Sequence, residues 1–521
     1  MKEYRCLYNL DMGAISLCLS RQREAFEGVF SVEHVREFVR DAAGTMVDVF
    51  LCCPTLLRLP LWNSKEEPHW KENASSLHPP ADRKSWTPSE RLYYPMQEYI
   101  LSGGDPVRDV YDAVRESDMA FFFSYRMNDW HFVELDEPER YPTLDRFYVE
   151  HPEYRIGCSN RDNPVGWNVK NSRQQNYIIP AVQRHYFALL TELAEEYDID
   201  GLELDLMRSP NYFPLDRLEE GTASMTAFVR SVRALLDRVG RERGKELPLC
   251  VRVPHRYAYC ARIGLDVKSW VENGWVQMVN VSSSYFHTEA LELEEYRAAL
   301  PGARIYGEEQ MVMNNGINRY GWPSERRTPP EVLETTAYAF LRRGADGISL
   351  YNFPFTREVE QPVKNPDSLY AEPPKKVLMH LADEGYLKTR PKHYVSYGYP
   401  DLTFDGKLPA MGMVTTSWRI WDHPSAFHAA LLRVIGRGDV QRHGKQVRLN
   451  GVLLEDSGNN GELFPETIQE GQFPPEQTFN CRVPMEALAE ENRLEIALTP
   501  PDIEIFGVEL ALYRDQSDIS K

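Results

Sequence analysis

Short apolar runs and longer amphipathic stretches alternate along the first 356 residues. Eight apolar runs read as strands: Arg5–Leu10, Val47–Cys53, Ala120–Tyr125, Gly201–Met207, Leu249–Val253, Val276–Val281, Arg304–Glu308 and Gly347–Phe353. Between them, apolar residues recur every three or four positions and predict helices over Val32–Ala43, Ile179–Tyr197, Ala223–Val239, Val267–Asn273 and Glu331–Arg343. Strands that alternate with helices form parallel sheets, and eight of them over ~350 residues fit an α/β fold of the (β/α)8 TIM barrel type. An open doubly wound sheet is the runner-up, but no glycine-rich phosphate loop follows the first strand. The βα loops after strands 2 and 3, Pro54 to about Asp118 and Arg126 to about Arg173, far exceed the usual ~2–6 residues. Both belong to the C-terminal face, where barrel enzymes build their sites.

The texture changes near Lys392 to alternating runs (VSYGY, MGMVTTSW, KQVRLNGVLL, NRLEIAL, FGVELALY) separated by Gly, Asn, Asp and Pro. This predicts an accessory β-sandwich over 392–521, joined to a catalytic barrel over 1–356 by a linker and helix over 357–391. A chain of 521 residues exceeds what one core usually organises, so two domains are expected. Acidic residues outnumber basic ones 78 to 59, a net charge of -19, which argues against nucleic acid and anionic membranes as partners. No apolar run approaches the ~18–20 residues of a membrane span, and no signal-peptide stretch opens the chain, so with Met1 as the native start a cytoplasmic location is expected. The eight cysteines are scattered without a CxxC pair, so neither a disulfide framework nor a structural zinc site is expected. No metal and no organic cofactor are implied, and the oligomeric state is open.

The segment YDIDGLELDLMRSPNYF (Tyr197–Phe213) carries the most chemistry. Period-2 alternation sends Gly201, Glu203 and Asp205 to one side of the strand and Leu202, Leu204 and Leu206 to the other. The leucines pack beneath helices while both carboxylates face the barrel axis. Inward acids are expensive unless they meet a ligand, a cation or an arginine, and a structural ion pair with Arg208 or Arg252 is the plain alternative to catalysis. The segment resembles strand 4 of the glycoside-hydrolase-like (β/α)8 proteins known as family-10-like glycosyl hydrolases, over residues 1 to 355. The resemblance implies a barrel acting on carbohydrate with carboxylates at its C-terminal face. The chitinase pattern D-G-x-D-x-D-x-E ends on a catalytic acid where this chain has Met207. In the large retaining clan the strand-4 acid follows an Asn, here Leu202.

A second carboxylate source is ARIYGEEQ (Ala303–Gln310), strand 7 ending in Glu308 and Glu309. Strands 4 and 7 lie across a barrel from each other, and alternation lets one of the two glutamates point inward; Glu308 is favoured, with Tyr306 on its face. The remaining strand ends offer Asn9 and Asp11; Arg126, Asn128, Asp129 and His131; Arg252, His255, Arg256 and Tyr257; Asn280 and Ser282 to Tyr285; and Tyr351 and Asn352. Trp62, Trp70, Trp86, Trp130 and Trp167 fall in the two long loops and Trp322 after strand 7, with Trp130 and Trp322 as candidate sugar platforms and loop packing as the alternative.

The expected function is a glycoside hydrolase cleaving an oligo- or polysaccharide. Glu203 and Glu308 form the catalytic pair, and Asp205 raises the pKa of Glu203 by like-charge repulsion. Asn9, Arg126, Asp129, Arg208, Arg252, His255, Arg256, Tyr285, Glu309, Tyr351, Asn352, Trp130 and Trp322 are the substrate-binding candidates. Arg126, Arg208, Arg252 and Arg256 suit an anionic sugar, or they neutralise the site acids. A carbohydrate-binding protein on a degenerate barrel and a polysaccharide lyase are the alternatives.

Overall fold

The computed structural model describes all residues except 1, 16–29, 68–87, 130, 132–143, 159, 161, 166–170, 284, 318–322, 355–374, 399–407, 459–462, 465–472 and 516–521. Eight strands close into a barrel: β1 (Cys6–Asp11), β2 (Val49–Cys53), β3 (Ala120–Arg126), β4 (Gly201–Asp205), β5 (Leu249–Pro254), β6 (Met278–Ser282), β7 (Arg304–Gln310) and β8 (Gly347–Tyr351). Neighbours from β1 to β7 pair in parallel and in chain order, and β8 closes the ring between β7 and β1. The intervening helices are α1 (Val32–Ala42), α2 (Pro106–Arg115), α3 (Pro180–Glu196), α4 (Leu218–Arg243), α5 (Val267–Glu272), α6 (Leu293–Ala299) and α7 (Pro330–Arg342). Helix α2 lies inside the stretch read as one long loop. Asp105 caps it by accepting from the Arg108 N–H at 2.9 Å, and Pro106 sits where its missing N–H costs nothing.

Inside the barrel the strands grade from apolar to charged toward their C-terminal ends. The floor is a cluster of Tyr4, Leu7, Val49, Leu51, Ala120, Phe122, Cys250, Met278 and Tyr306. Gly201 opens β4 without a side chain because a Cβ there would meet the Phe122 ring at 2.3 Å. The next inward positions are Ser124, Glu203, Asn280 and Ser349; beyond them come Asp11, Arg126, Asp205, Arg252, Ser282, Glu308 and Tyr351. Leu202, Leu204 and Leu206 point the other way, fully buried, as the alternation predicts.

The C-terminal strands form two antiparallel sheets. One carries β9 (Lys392–Tyr397), β11 (Ala429–Arg437), β13 (Thr478–Val483) and β15 (Glu504–Tyr513); the other carries β10 (Met413–Arg419), β12 (Gly444–Leu449) and β14 (Glu491–Thr499). Their facing side chains, among them Trp418, Leu432, Val447, Phe479, Ile496 and Leu510, share one apolar core, which makes the expected β-sandwich. The exposed–buried alternation of β10 shows one sheet face turned to solvent.

The chain divides into two compact units. One comprises Met1–Ser284, Glu292–Glu308 and Ser349–Glu360, the other Tyr285–Leu291, Glu309–Ile348 and Gln361–Lys521. The division runs through β7 and β8 rather than after 356. Helix α7 falls in the second unit, where the His393 N–H of β9 donates to Thr335 Oγ1 at 2.7 Å. No helix among the described residues is long and apolar enough to cross a membrane.

Candidate active site

Arg252 on β5 organises the charged end of the barrel. It is fully buried; Nε and Nη2 donate to Glu308 Oε2 and Oε1 at 2.7 and 2.8 Å, a two-toothed fork. Nη1 donates to Asp205 Oδ1 at 2.9 Å and Nη2 to Ser282 Oγ at 2.8 Å. Its guanidinium stacks on the Tyr351 ring, 3.7 Å from the centroid. Burial alone would weaken the cation, but Asp205 and Glu308 raise its pKa well above the ordinary value. Glu308, and not Glu309, therefore takes the inward position on β7.

Glu203 lies one inward position below Asp205 on β4. Ser124 donates to Oε1 at 2.7 Å, while the Cys250 thiol and the Asn280 amide approach Oε2 at 3.4 and 3.3 Å. The same Asn280 Nδ2 donates to Glu308 Oε2 at 2.8 Å, so one amide joins the two glutamates from opposite sides of the barrel. Burial pushes Glu203 up to about 7; the Ser124 bond opposes this, and the charges of Asp205 and Glu308 add to it.

A second charged set adjoins this one. Arg126 donates to Asp11 Oδ2 at 2.6 Å and to the Tyr351 hydroxyl at 3.0 Å, and pairs with Asp129 at 3.5 Å. Asp129 Oδ1 accepts from the His131 N–H and meets its Nδ1 at 2.6 Å; His131 Nε2 meets Arg208 Nη2 at 3.2 Å. Burial works against the Asp129 charge, but His131, Arg126 and Arg208 outweigh it and hold the carboxyl well below the usual range. Asn9 Oδ1, Asp205 Oδ2 and Asn352 Oδ1 are buried and carry no hydrogen bond among the described residues. Asn352 also adopts φ 52°, a conformation uncommon outside glycine, at the C-terminal end of β8.

The network thus joins Glu203, Asp205, Glu308, Arg126, Asp129, Arg208, Arg252 and Tyr351. His255 is buried, its ring edge-on to Tyr259, and half-buried Arg256 faces the same tyrosine. Tyr285 packs on Phe286, and Glu309 is buried opposite the charge of Glu289; both belong to the second compact unit. Trp130 and Trp322, with Trp70, Trp86 and Trp167, lie outside the described residues. Trp62 is buried and donates to Glu192 at 2.9 Å, a packing role. Ser124, Cys250 and Ser349 escaped the sequence reading. Each stands two residues before a candidate already singled out on its strand (Arg126, Arg252, Tyr351), so period-2 alternation puts it on the same face.

No protein-family model and no curated protein matches this chain. Among solved structures, alpha-L-fucosidase isoenzyme 1 from Paenibacillus thiaminolyticus is similar at 12% identity over 95% of this chain and 97% of that one, with a TM-score of 0.35. The PgaB (BpsB) glycoside hydrolase domain from Bordetella bronchiseptica follows at 11% over 73% and 98%, TM-score 0.36. A family GH18 chitinase from Chromobacterium violaceum shares 10% over 79% and 80%, TM-score 0.33. Scores at this level do not establish a common fold, and the barrel rests on its own strand pairing.

Proposed function

We propose that the chain is a glycoside hydrolase working at the C-terminal end of its barrel. Glu203, which burial pushes up to about 7, is the acid, and Glu308, paired with Arg252 and with Asp205 beside it, is its partner. The observation that carries this reading is the shared Asn280 amide, which joins a carboxyl that holds its proton to near neutrality to one that is ion-paired in the Arg252 fork. A carboxyl raised toward neutrality beside a second, ion-paired one suits acid-assisted cleavage of a glycosidic bond: one protonates the leaving oxygen, and the other stabilises the developing positive charge or activates water. The DGLELDLMR resemblance points the same way. Arg126 and Arg252 are already bonded to protein carboxylates, and Arg208 is held at His131 beside buried Asp129. This favours the neutralising role for these arginines and a neutral sugar as substrate.

One observation favours a second reading, a carbohydrate-binding protein on the same barrel: Glu203, Asp205 and Glu308 are each 1% exposed and bonded to one another's partners. The experiment that separates the readings is a panel of neutral and uronate-containing oligosaccharides, assayed for new reducing ends and for ultraviolet-absorbing unsaturated products. Hydrolysis abolished in Glu203→Gln, with binding retained, supports the first reading. Binding without turnover in the native chain supports the second, and unsaturated products overturn both.

A further inference from the structure

The two long insertions meet helix α3 away from the Arg252 network, at a cluster the catalytic reading does not use. Glu67 follows β2, Asp145 precedes the short helix Arg146–Glu150 in the insertion after β3, and His185 lies on α3. One ligating atom from each side chain lies within 4.8 Å of the other two. Oxygen and nitrogen ligands ~2.1 Å from one zinc ion stand ~3.5 Å apart, so a small closure separates this arrangement from a coordinated one.

We infer that Glu67, Asp145 and His185 bind one divalent transition-metal ion, of the zinc or manganese kind, that ties both insertions to α3. Three observations carry this. First, both carboxylates are 4% exposed; Arg58 Nε donates to Asp145 Oδ2 at 2.7 Å, while Glu67 has the charge of Arg146 nearby, a guanidinium already paired with Glu150. Two buried carboxylates so close together repel each other, and a divalent ion between them would offset that cost. Second, the carboxylates are held in place from behind. Asp145 Oδ1 accepts from the Tyr148 N–H at 2.7 Å, and Glu67 Oε1 and Oε2 accept from the Arg146 and Phe147 N–H groups at 3.2 and 3.3 Å. Each oxygen keeps a further lone pair, and such backing bonds are how proteins orient metal ligands. Third, the imidazole is positioned by packing alone. It lies flat on Phe147 with ring centroids 3.9 Å apart and edge-on to Tyr186, and among the described residues neither ring nitrogen has a hydrogen-bond partner. One imidazole nitrogen with two carboxylate oxygens suits zinc or manganese better than calcium or magnesium, which prefer all-oxygen shells. The cysteine-based expectation of no metal site could not register this set, whose members are 78 and 40 residues apart in sequence.

The test uses the full chain, purified without chelator, then stripped with EDTA and reloaded with Zn2+ or Mn2+. The expected result is one equivalent of bound metal by plasma mass spectrometry and a fall in Tm of about 5 °C on stripping. Zn2+ or Mn2+ restores it, and Mg2+ does not. Glu67→Gln and His185→Asn should lose the metal, melt close to the stripped native protein and stop responding to added ions, whereas a purely structural role would lower Tm with and without EDTA. Co2+ titrated into the stripped native chain should give visible d–d bands, which keeps the question decidable if a variant fails to fold. Substoichiometric metal with a Tm indifferent to EDTA, variants that keep the metal, or no Co2+ bands would overturn the assignment.

Discussion

Two buried ionic clusters, one in each compact unit, have opposite balance. In the barrel, Glu203, Asp205 and Glu308 gather around the single guanidinium of Arg252. In the second unit, the single carboxylate of Glu509 receives Arg326 at 3.0 Å, His393 at 3.2 Å, Arg433 at 3.5 Å and the Tyr397 hydroxyl. Burial opposes the Glu509 charge, but Arg326, His393 and Arg433 overcome it and hold the group well below the carboxylate range. Surrounding cations thus overcome burial at Glu509, whereas at Glu203 burial pushes the carboxyl up to about 7 and the neighbouring acids Asp205 and Glu308 add to it.

The hardest way to break the comparison is to remove the organiser. Arg252→Met leaves Asp205 and Glu308 buried without a counter-charge and should cost ~3–5 kcal/mol, read by urea denaturation, together with all activity. A loss below about 1 kcal/mol would show that the acids find other partners. Glu509→Gln should cost ~3 kcal/mol at pH 7 while leaving turnover on the native substrate intact. Because the folded pKa of Glu509 is depressed, its stabilisation is present above the unfolded range near 4.5 and fades as pH falls through the folded value, so the gap to the native protein should narrow only in acid.

Glu203 should behave in the opposite sense. Its folded pKa is about 7 against 4.5 for the free side chain, so the native state binds the extra proton, and stability declines as pH rises between those values. Glu203→Gln removes that decline. Equilibrium unfolding at several pH values should find the variant level with the native protein below about pH 4 and more stable by roughly 3 kcal/mol above about pH 8, though inactive. A variant less stable than native in alkali would refute the protonated assignment. The smallest effect is expected from Ser124→Ala, which removes the bond that lowers the Glu203 pKa. It should cost ~1 kcal/mol and move the midpoint of the pH-dependent decline upward by a few tenths.

The parts of this arrangement that follow a period were readable from sequence. Alternation in Gly201–Asp205 placed Glu203 and Asp205 on the axis, and alternation in Arg304–Gln310 separated Glu308 from Glu309. The Arg252 fork was not readable, because which acid an arginine meets depends on barrel register and not on spacing along its own strand. Glu509 carried a visible signal, a lone acid in the apolar run FGVELALY, yet its four partners come from segments up to 183 residues away. Helix α2 was hidden in a stretch read as loop although Asp105–Pro106 is a helix-start signature; the loop's length drew attention away from it. The tryptophans show the limit of composition: Trp62 is spent on Glu192, a role its position in the long loop did not reveal.

The apolar floor gives the barrel a direction. Tyr4, Leu7, Leu51, Phe122, Met278 and Tyr306 line the N-terminal end, where the Tyr306 hydroxyl donates to the Tyr4 carbonyl at 3.0 Å. The Cys250 thiol of this layer reaches Glu203 Oε2 at 3.4 Å from below, and the charged ring of Asp205, Arg252 and Glu308 lies above. The barrel is therefore polarised along its axis: substitutions in its base act on packing, except at Cys250, and the ionisable groups are altered from the rim.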